Sequence, residues 1–323
     1  MSTIETYREE FLTYLHKINT VKEPVNLYEP INYILNIGGK RLRPILTLLT
    51  CDIFGGNYTK ALDAAVAVEV FHNFTLLHDD IMDSAPIRRG KQTVHTKWNV
   101  NTGILSGDAM MIMAYQSFES YEPELFKKLL KLFNQTSLEV CEGQQLDVDF
   151  ENRTDVTIPE YLKMITNKTS VLVACAMKMG ALIANSSDED AEKIYKFGLF
   201  LGLAFQLQDD YLDTFGNVED FGKQIGGDIM ENKKTFLYLK TIELANSKDK
   251  KQLLNLYNTS TELQEKVTEV KDLFINYRVD RNIKNEIENY TQKAFDILTE
   301  IQLPIEKKQE LIAFGNWLMK RKV

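Results

Sequence analysis

Three observations predict an all-α protein. Apolar residues recur at intervals of three and four through most of the chain, which is the helical period. Alternating polar and apolar runs of the kind that build half-buried strands are nearly absent. Glycine (16) and proline (7) are sparse among the 323 residues, while Leu, Lys, Glu, Ile and Ala dominate.

The periodic segments fall, in order, at 28–37, 45–54, 62–82, 107–120, 124–147, 161–184 and 192–213. Pro30 is expected to start the first of them, with Gly38-Gly39 ending it and Pro44 opening the next. From residue 247 to 323 the pattern stays helical but more charged, with Leu253, Leu254, Leu256, Tyr257, Phe274, Ile275, Phe295, Ile297 and Leu298 at helical spacing. No composition shift or Gly/Ser/Pro linker marks a boundary, so a single domain over 1–323 is expected.

Composition excludes several classes. With 44% apolar and 26% charged residues the chain has material for a core. Its mean hydropathy is −0.25, and no run reaches the roughly 18 uncharged apolar residues of a membrane span. The most apolar stretch, 170–184, is interrupted by Lys178, so stable membrane insertion is not expected. Residues 1–22 mix Glu5, Arg8, Glu9, Glu10 and Lys17 with scattered apolars, unlike a signal or transit peptide. Cys51, Cys141 and Cys175 are odd in number and widely spaced, as in a reduced cytoplasmic protein. The net charge of −8 argues against nucleic acid as a partner, and an anionic ligand must find a local basic cluster.

One pentapeptide pattern occurs twice, Asp79-Asp80-Ile81-Met82-Asp83 and Asp209-Asp210-Tyr211-Leu212-Asp213, each at the end of an apolar helical segment. Positions i and i+4 share a helix face, so Asp79 pairs with Asp83 and Asp209 with Asp213. Like charges on one turn repel. Such turns suit a hard divalent cation that keeps waters and bridges to substrate phosphates. A single cluster would read as a solvated helix end; two copies on apolar helices favour a shared metal site. His72, seven residues before Asp79, lies close to a whole number of turns away and belongs to the same stripe. Two basic loops complete the pattern: Gly38-Gly39-Lys40-Arg41-Leu42-Arg43-Pro44 before the first acidic segment, and Ile87-Arg88-Arg89-Gly90-Lys91 after it. Glycines admit a ligand close to backbone, and arginines give bidentate phosphate contacts.

Taken in order, Gly38 to Pro44, His72, His78 to Asp83 and Arg88-Arg89-Gly90 resemble the trans-isoprenyl diphosphate synthases, the polyprenyl synthetase family. Gly143-Gln144-Gln145-Leu146-Asp147, Lys168-Thr169, Phe205 to Asp213, and Gly222-Lys223 through Gly226-Gly227-Asp228 to Thr235 continue the family's order. The resemblance spans about residues 28–239 and implies an isoprenoid synthase-type helical bundle around a central active-site cavity. It implies magnesium, three ions per active site, with Asp79, Asp83 and Asp209 as ligands and Asp80, Asp210 and Asp213 in the same clusters. Arg88, Lys168, Lys223 and Lys233 would neutralise an allylic diphosphate; Lys40, Arg43, His72 and Arg89 would hold isopentenyl diphosphate. Thr169 and Gln206 would line the site near the developing carbocation, with Gln144 and Asp147 in support. A homodimer is implied as well.

In this family the residues just before the first acidic motif form the floor under the growing tail. Here these are Phe71, Phe74 and Thr75, eight, five and four residues before Asp79. A ring at the fifth position with a small neighbour, and no insertion in the acidic motif, resembles synthases of the twenty-carbon geranylgeranyl product, with fifteen-carbon farnesyl second. A class I terpene cyclase would carry an Asn/Asp–Ser/Thr–Glu second motif and has no need of Lys40, Arg43 and Arg89. A non-catalytic subunit of a heteromeric prenyltransferase would be expected to lose acidic residues, and this chain keeps all six.

Overall fold

The computed structural model describes residues 2–216, 225–258 and 263–319. Lys223 and the basic tail Lys320-Arg321-Lys322 lie outside the described residues. Helices dominate the described chain, in keeping with the all-α expectation, and its one extended pair is the two-residue strand Ile87–Arg88 against Lys91–Gln92. The chain divides into two compact units, one formed by Met1–Asn134 and Cys175–Glu192, the other by Gln135–Ala174 and Lys193–Val323.

In the first unit the helix Leu62–Met82 packs against Val100–Gln116 and Leu42–Ile53. Small residues (Ala64, Ala65, Ala67) line its first half and bulky ones (Phe71, Phe74, Leu77) its second, all buried. Its apolar character on most sides is what a central helix needs. Phe71 packs edge-on against Phe133, which also meets Tyr115 and Phe118 at ring separations of 5.1 to 5.2 Å. Val100–Gln116 begins seven residues before its apolar period does, because Asn99 caps it by accepting from Thr102 N at 2.9 Å.

Both proline expectations shift. The helix Val25–Asn36 starts after Pro24, so Pro30 lies inside it, buried, and forgoes one i→i−4 bond. Pro44 is the third residue of Leu42–Ile53, not the first; it still falls in the first turn, where its missing N–H is not needed. Among the three cysteines, all described, there is no disulfide, and Cys141 is exposed. None of the helices among the described residues is long and apolar enough to cross a membrane.

The core of the second unit gathers Phe150, Tyr161, Leu203, Leu207, Phe236, Leu237, Phe274 and Val279. Its helix Ile158–Ile165 starts at a reciprocal cap: Thr157 N donates to Glu160 Oε2 at 2.9 Å and Glu160 N to Thr157 Oγ1 at 3.4 Å. The expected helix over 161–184 is interrupted. A π-turn occupies Thr166–Ser170, with Val171 N–H donating to Thr166 O five residues back, before the helix Val171–Ile183 resumes. Such bulges leave the apolar period nearly intact and often accompany functional sites. The second acidic motif ends the helix Asp188–Phe215, and Ser247–Asn258, Leu263–Asn276, Val279–Glu300 and Ile305–Met319 form the charged helical end of the chain.

Candidate active site

The first unit brings both basic loops to the end of one acidic helix. Asp79 and Asp83 share a face of Leu62–Met82, whereas Asp80 is turned about 100° away from Asp79. Asp80 is therefore buried. It accepts from Arg88 Nε at 2.7 Å, and Arg88 Nη2 stands 3.7 Å from Asp79 Oδ2. Burial raises the Asp80 carboxyl above the usual range, against the pull of Arg88. Asp80 thus aims Arg88, while Asp83 stays exposed at the helix end.

The second basic loop is a hairpin. Arg89 (φ 53°) and Gly90 (φ 74°) form the two-residue connection between the strands, both in the left-handed region that a type I′ turn requires. Arg89 Nη1 donates to Gly38 O. A Cβ on Gly39 would lie 2.6 Å from the same guanidinium, so the two basic loops approach this closely only over glycine. Arg43 Nη1 lies 3.1 Å from His72 Nε2. A guanidinium only donates, so Nε2 accepts and the ring proton sits on Nδ1. Burial, then Arg43, Arg89, Arg88 and Arg41, hold the His72 imidazole well below its usual pKa. His72 is neutral and offers a donor. Lys40 projects from the same loop, exposed.

Of the residues expected at the hydrocarbon floor, Phe71 is buried within the aromatic cluster. Phe74 lies at that cluster's edge, its ring 5.5 Å from Phe71 and 4.8 Å from the His78 ring. Thr75 is half-buried, its hydroxyl donating to His72 O at 2.8 Å.

In the second unit the π-turn presents Lys168 and Thr169. A Cβ on Gly143 would overlap the backbone nitrogen of Lys168, so that glycine lets the helix Pro123–Asn152 press against the turn. One turn further along the same helix, Asp147 Oδ2 accepts from Lys168 Nζ at 2.5 Å, with Gln144 half-buried between the two positions. Thr169 Oγ1 donates to Gln206 Oε1 at 3.1 Å, and Gln206 Nε2 donates to Asp210 Oδ1 at 3.1 Å. Asp210 repeats the placing of Asp80: it is buried, and Tyr161 OH donates to it. Burial, then the nearby Asp228, raise the Asp210 carboxyl well above the usual range; burial and Asp210 do the same to the Tyr161 phenol. Asp209 and Asp213 are half-buried, and Asp213 Oδ2 accepts from Asp228 N at 3.0 Å. Lys233 Nζ stands 3.9 Å from Asp228 and 2.6 Å from Glu231; burial lowers its pKa, but these carboxylates outweigh it and the net shift is upward. The cavity of about 890 Å³ lined by Gln208, Tyr211, Phe215, Lys284, Ile287 and Met319 is lined by none of the expected site residues.

Tyr161 was not legible as a site residue, since nothing local separates it from other aromatics on apolar helix faces. Asp228 had a signal, its place after Gly226-Gly227, but no spacing argument tied it to Asp213.

Both acidic turns sit at or near the C-terminal ends of their helices, where the macrodipole is negative. A carboxylate there costs about 0.3–1 kcal/mol instead of stabilising. Hard oxygen donors placed against the dipole fit a divalent cation. Among the described residues no three His, Cys, Asp or Glu side chains converge as a ready-made metal centre.

Residues 24–274 match the family model described as polyprenyl synthetase. The chain is 45% identical over 225 residues to the geranylgeranyl diphosphate synthase of Methanosarcina mazei, covering 69% of each. It is 36% identical over 310 residues to that of Sulfolobus acidocaldarius, covering 93% of each. A crystal structure of a geranylgeranyl pyrophosphate synthase superposes with a TM-score of 0.95 over the whole of both chains at 53% identity. That of the geranylgeranyl pyrophosphate synthetase from Pyrococcus horikoshii gives 0.92 at 32% identity over 99% of this chain and 98% of that one. The chain belongs to the polyprenyl synthetase family and is a short-chain trans-prenyltransferase.

Proposed function

We propose that this prenyltransferase condenses isopentenyl diphosphate with allylic diphosphates, head to tail, to give geranylgeranyl diphosphate, with farnesyl diphosphate as the shorter product. The observation that carries the reading is the gathering, within one unit, of the Asp79/Asp83 turn with Arg88, Arg89, Arg43 and a neutral His72. Relatives named as synthases of geranylgeranyl diphosphate support the product class.

Prenyl transfer in this family is magnesium-dependent; we assign three ions, with Asp79, Asp83 and Asp209 as protein ligands and Asp80, Asp210 and Asp213 in the same acidic clusters. Bound magnesium supplies charge stabilisation to the departing diphosphate. Arg88, aimed by Asp80, holds the allylic diphosphate together with Lys168, Lys233 and Lys223, the last outside the described residues. Fixed cations are worth most where charge develops, and ionisation leaves added negative charge on that diphosphate. Lys40, Arg43, His72 and Arg89 hold isopentenyl diphosphate. Because His72 is neutral with Nδ1 protonated, it donates to a phosphate oxygen without adding a titrating charge near neutral pH. Thr169 and Gln206, joined by a hydrogen bond, line the site near the allylic cation, and the departed diphosphate takes the proton after the isopentenyl double bond attacks. No protein nucleophile is required.

The helix Val100–Gln116 exposes Ile104, Leu105 and Ile112, an apolar face that supports a homodimer; sedimentation velocity checks its mass. The chain as a whole acts as one catalytic domain in this reading.

The test is mass-spectrometric product analysis with isopentenyl diphosphate and dimethylallyl, geranyl or farnesyl diphosphate as primer. Twenty-carbon product from all three is expected; cyclic hydrocarbon, or no turnover of isopentenyl diphosphate, would overturn the reading. The two diphosphate subsites separate kinetically. Arg89→Ala is expected to raise KM for isopentenyl diphosphate about tenfold or more, and Arg88→Ala that for the allylic substrate, since a charged hydrogen bond is worth about 1.5–3 kcal/mol. Equal effects of both changes on both substrates would contradict the assignment.

A further inference from the structure

Arg41 stands between Lys40 and Arg43 in the first basic loop, yet it does not share their situation. It is buried and adopts the left-handed conformation (φ 51°) immediately before the helix Leu42–Ile53. Its guanidinium makes two charge-assisted contacts. Nη1 donates to Glu69 Oε1, and Nη2 donates to Leu35 O in the last turn of Val25–Asn36. Glu69 is itself buried on Leu62–Met82, three residues before His72. Asn73 secures it from the next turn, its Nδ2 donating to Glu69 Oε1 at 3.0 Å and to Glu69 O at 2.8 Å. One buried ion pair therefore ties together three helices and fixes the loop against the helix that carries His72 and Asp79.

We propose that Arg41 and Glu69 are a positioning pair for the isopentenyl diphosphate subsite. Arg41 cannot reach a ligand, because its guanidinium is turned into the protein and its charge is met by Glu69. What it controls is the path of the backbone on either side. The left-handed turn at Arg41 sends Lys40 to the surface and brings Arg43 Nη1 to 3.1 Å from His72 Nε2. The Gly38 carbonyl, three residues earlier, receives Arg89. Of the four groups assigned to isopentenyl diphosphate, Lys40 and Arg43 thus hang from a segment whose register on the acidic helix is set by this pair, Arg89 bonds to that segment at Gly38, and His72 stands on the acidic helix itself. A neutral or single-pronged replacement leaves the charges of Lys40, Arg43 and Arg89 in place and loosens their spacing. A planar guanidinium spans Glu69 and Leu35 O at once; an ammonium on a flexible stem is a point charge and does not hold the same fork.

The inference rests on the assignment of isopentenyl diphosphate to the first basic loop. Arg41→Lys and Glu69→Gln are compared with wild type by steady-state kinetics, varying each substrate at saturation of the other. Circular dichroism and thermal melts run alongside. Each variant is expected to raise KM for isopentenyl diphosphate tenfold or more, with kcat and the allylic KM within about twofold. Calorimetric titration of isopentenyl diphosphate alone should show the same loss of affinity. Changes in kcat and both KM values together, unchanged KM values despite a lowered melting temperature, or failure of both variants to fold would make the pair part of the scaffold only and overturn the proposal. A wild-type enzyme that did not consume isopentenyl diphosphate would instead overturn the functional reading, before any variant is compared.

Discussion

Replacing Asp79 with Ala is expected to lower kcat/KM by about a thousandfold or more, with the fold intact. Removing one preorganised donor from a site of charge development costs about 10²–10³ in rate, and losing a metal ligand removes more than one donor's share. A thousandfold is about 4 kcal/mol of transition-state stabilisation. Asp209→Ala should behave alike, whereas Asp80→Asn should act mainly through Arg88, raising the allylic KM more than it lowers kcat. Folding need not suffer, since a carboxylate at the negative end of a helix is not a stabilising group there. Steady-state kinetics with magnesium titrations check both changes. Turnover within tenfold of wild type for Asp79→Ala, or full activity of the wild type in EDTA, would remove the basis of the mechanism.

The second large effect concerns product length. Phe74 lies five residues before Asp79, about 7.5 Å along the axis at 1.5 Å per residue. Its ring is 8% exposed, against 1% for Phe71, and it sits at the edge of the aromatic cluster. Truncating a buried Phe to Ala costs about 3–5 kcal/mol when the space stays empty. A longer isoprenoid tail that entered the space would recover part of that. Phe74→Ala is therefore expected to lengthen products by at least one isoprene unit without abolishing ionisation, and Thr75→Phe to shorten them toward fifteen carbons. Phe71→Ala should chiefly destabilise, because Phe71 is fully buried and packs edge-on against Phe133 inside the aromatic cluster. Chromatography of dephosphorylated products, with melting temperatures alongside, separates these outcomes. An active, folded Phe74→Ala enzyme with unchanged products would make Phe74 a core residue.

Legibility in the sequence depends on the range of each interaction. The acidic pentapeptides, the basic loops and the long apolar helices are written in patterns a few residues wide; the helices form, with the start of Val100–Gln116 and the break at Thr166–Ser170 not marked in those patterns. Pro30 misleads because Pro24, six residues earlier, also suits a helix start, and nothing local ranks the two. The hairpin turn at Arg89-Gly90 shows no alternating flanks, since each strand is two residues long. The inward turn of Asp80 and Asp210 is a matter of helical geometry, but their partners are not. Arg88 arrives from eight residues away and Tyr161 from 49, and neither contact leaves a mark in a short window. The Arg41–Glu69 pair is hidden for the same reason: Arg41 looks like its neighbours Lys40 and Arg43.

The π-turn at Thr166–Ser170 has a consequence for how this segment can change over generations. Measured by length, it is an α-helical turn carrying one surplus residue. Deleting any one of the five would restore regular winding with the flanking helices still in phase, and would shift residues within the turn around the axis by up to about 100°. Lys168 and Thr169 could then not both keep their places, because Asp147 holds one and Gln206 the other. Substitutions in the turn can be explored one at a time, but its length cannot. The segment behaves like a reading frame, tolerant of altered letters and closed to a lost one.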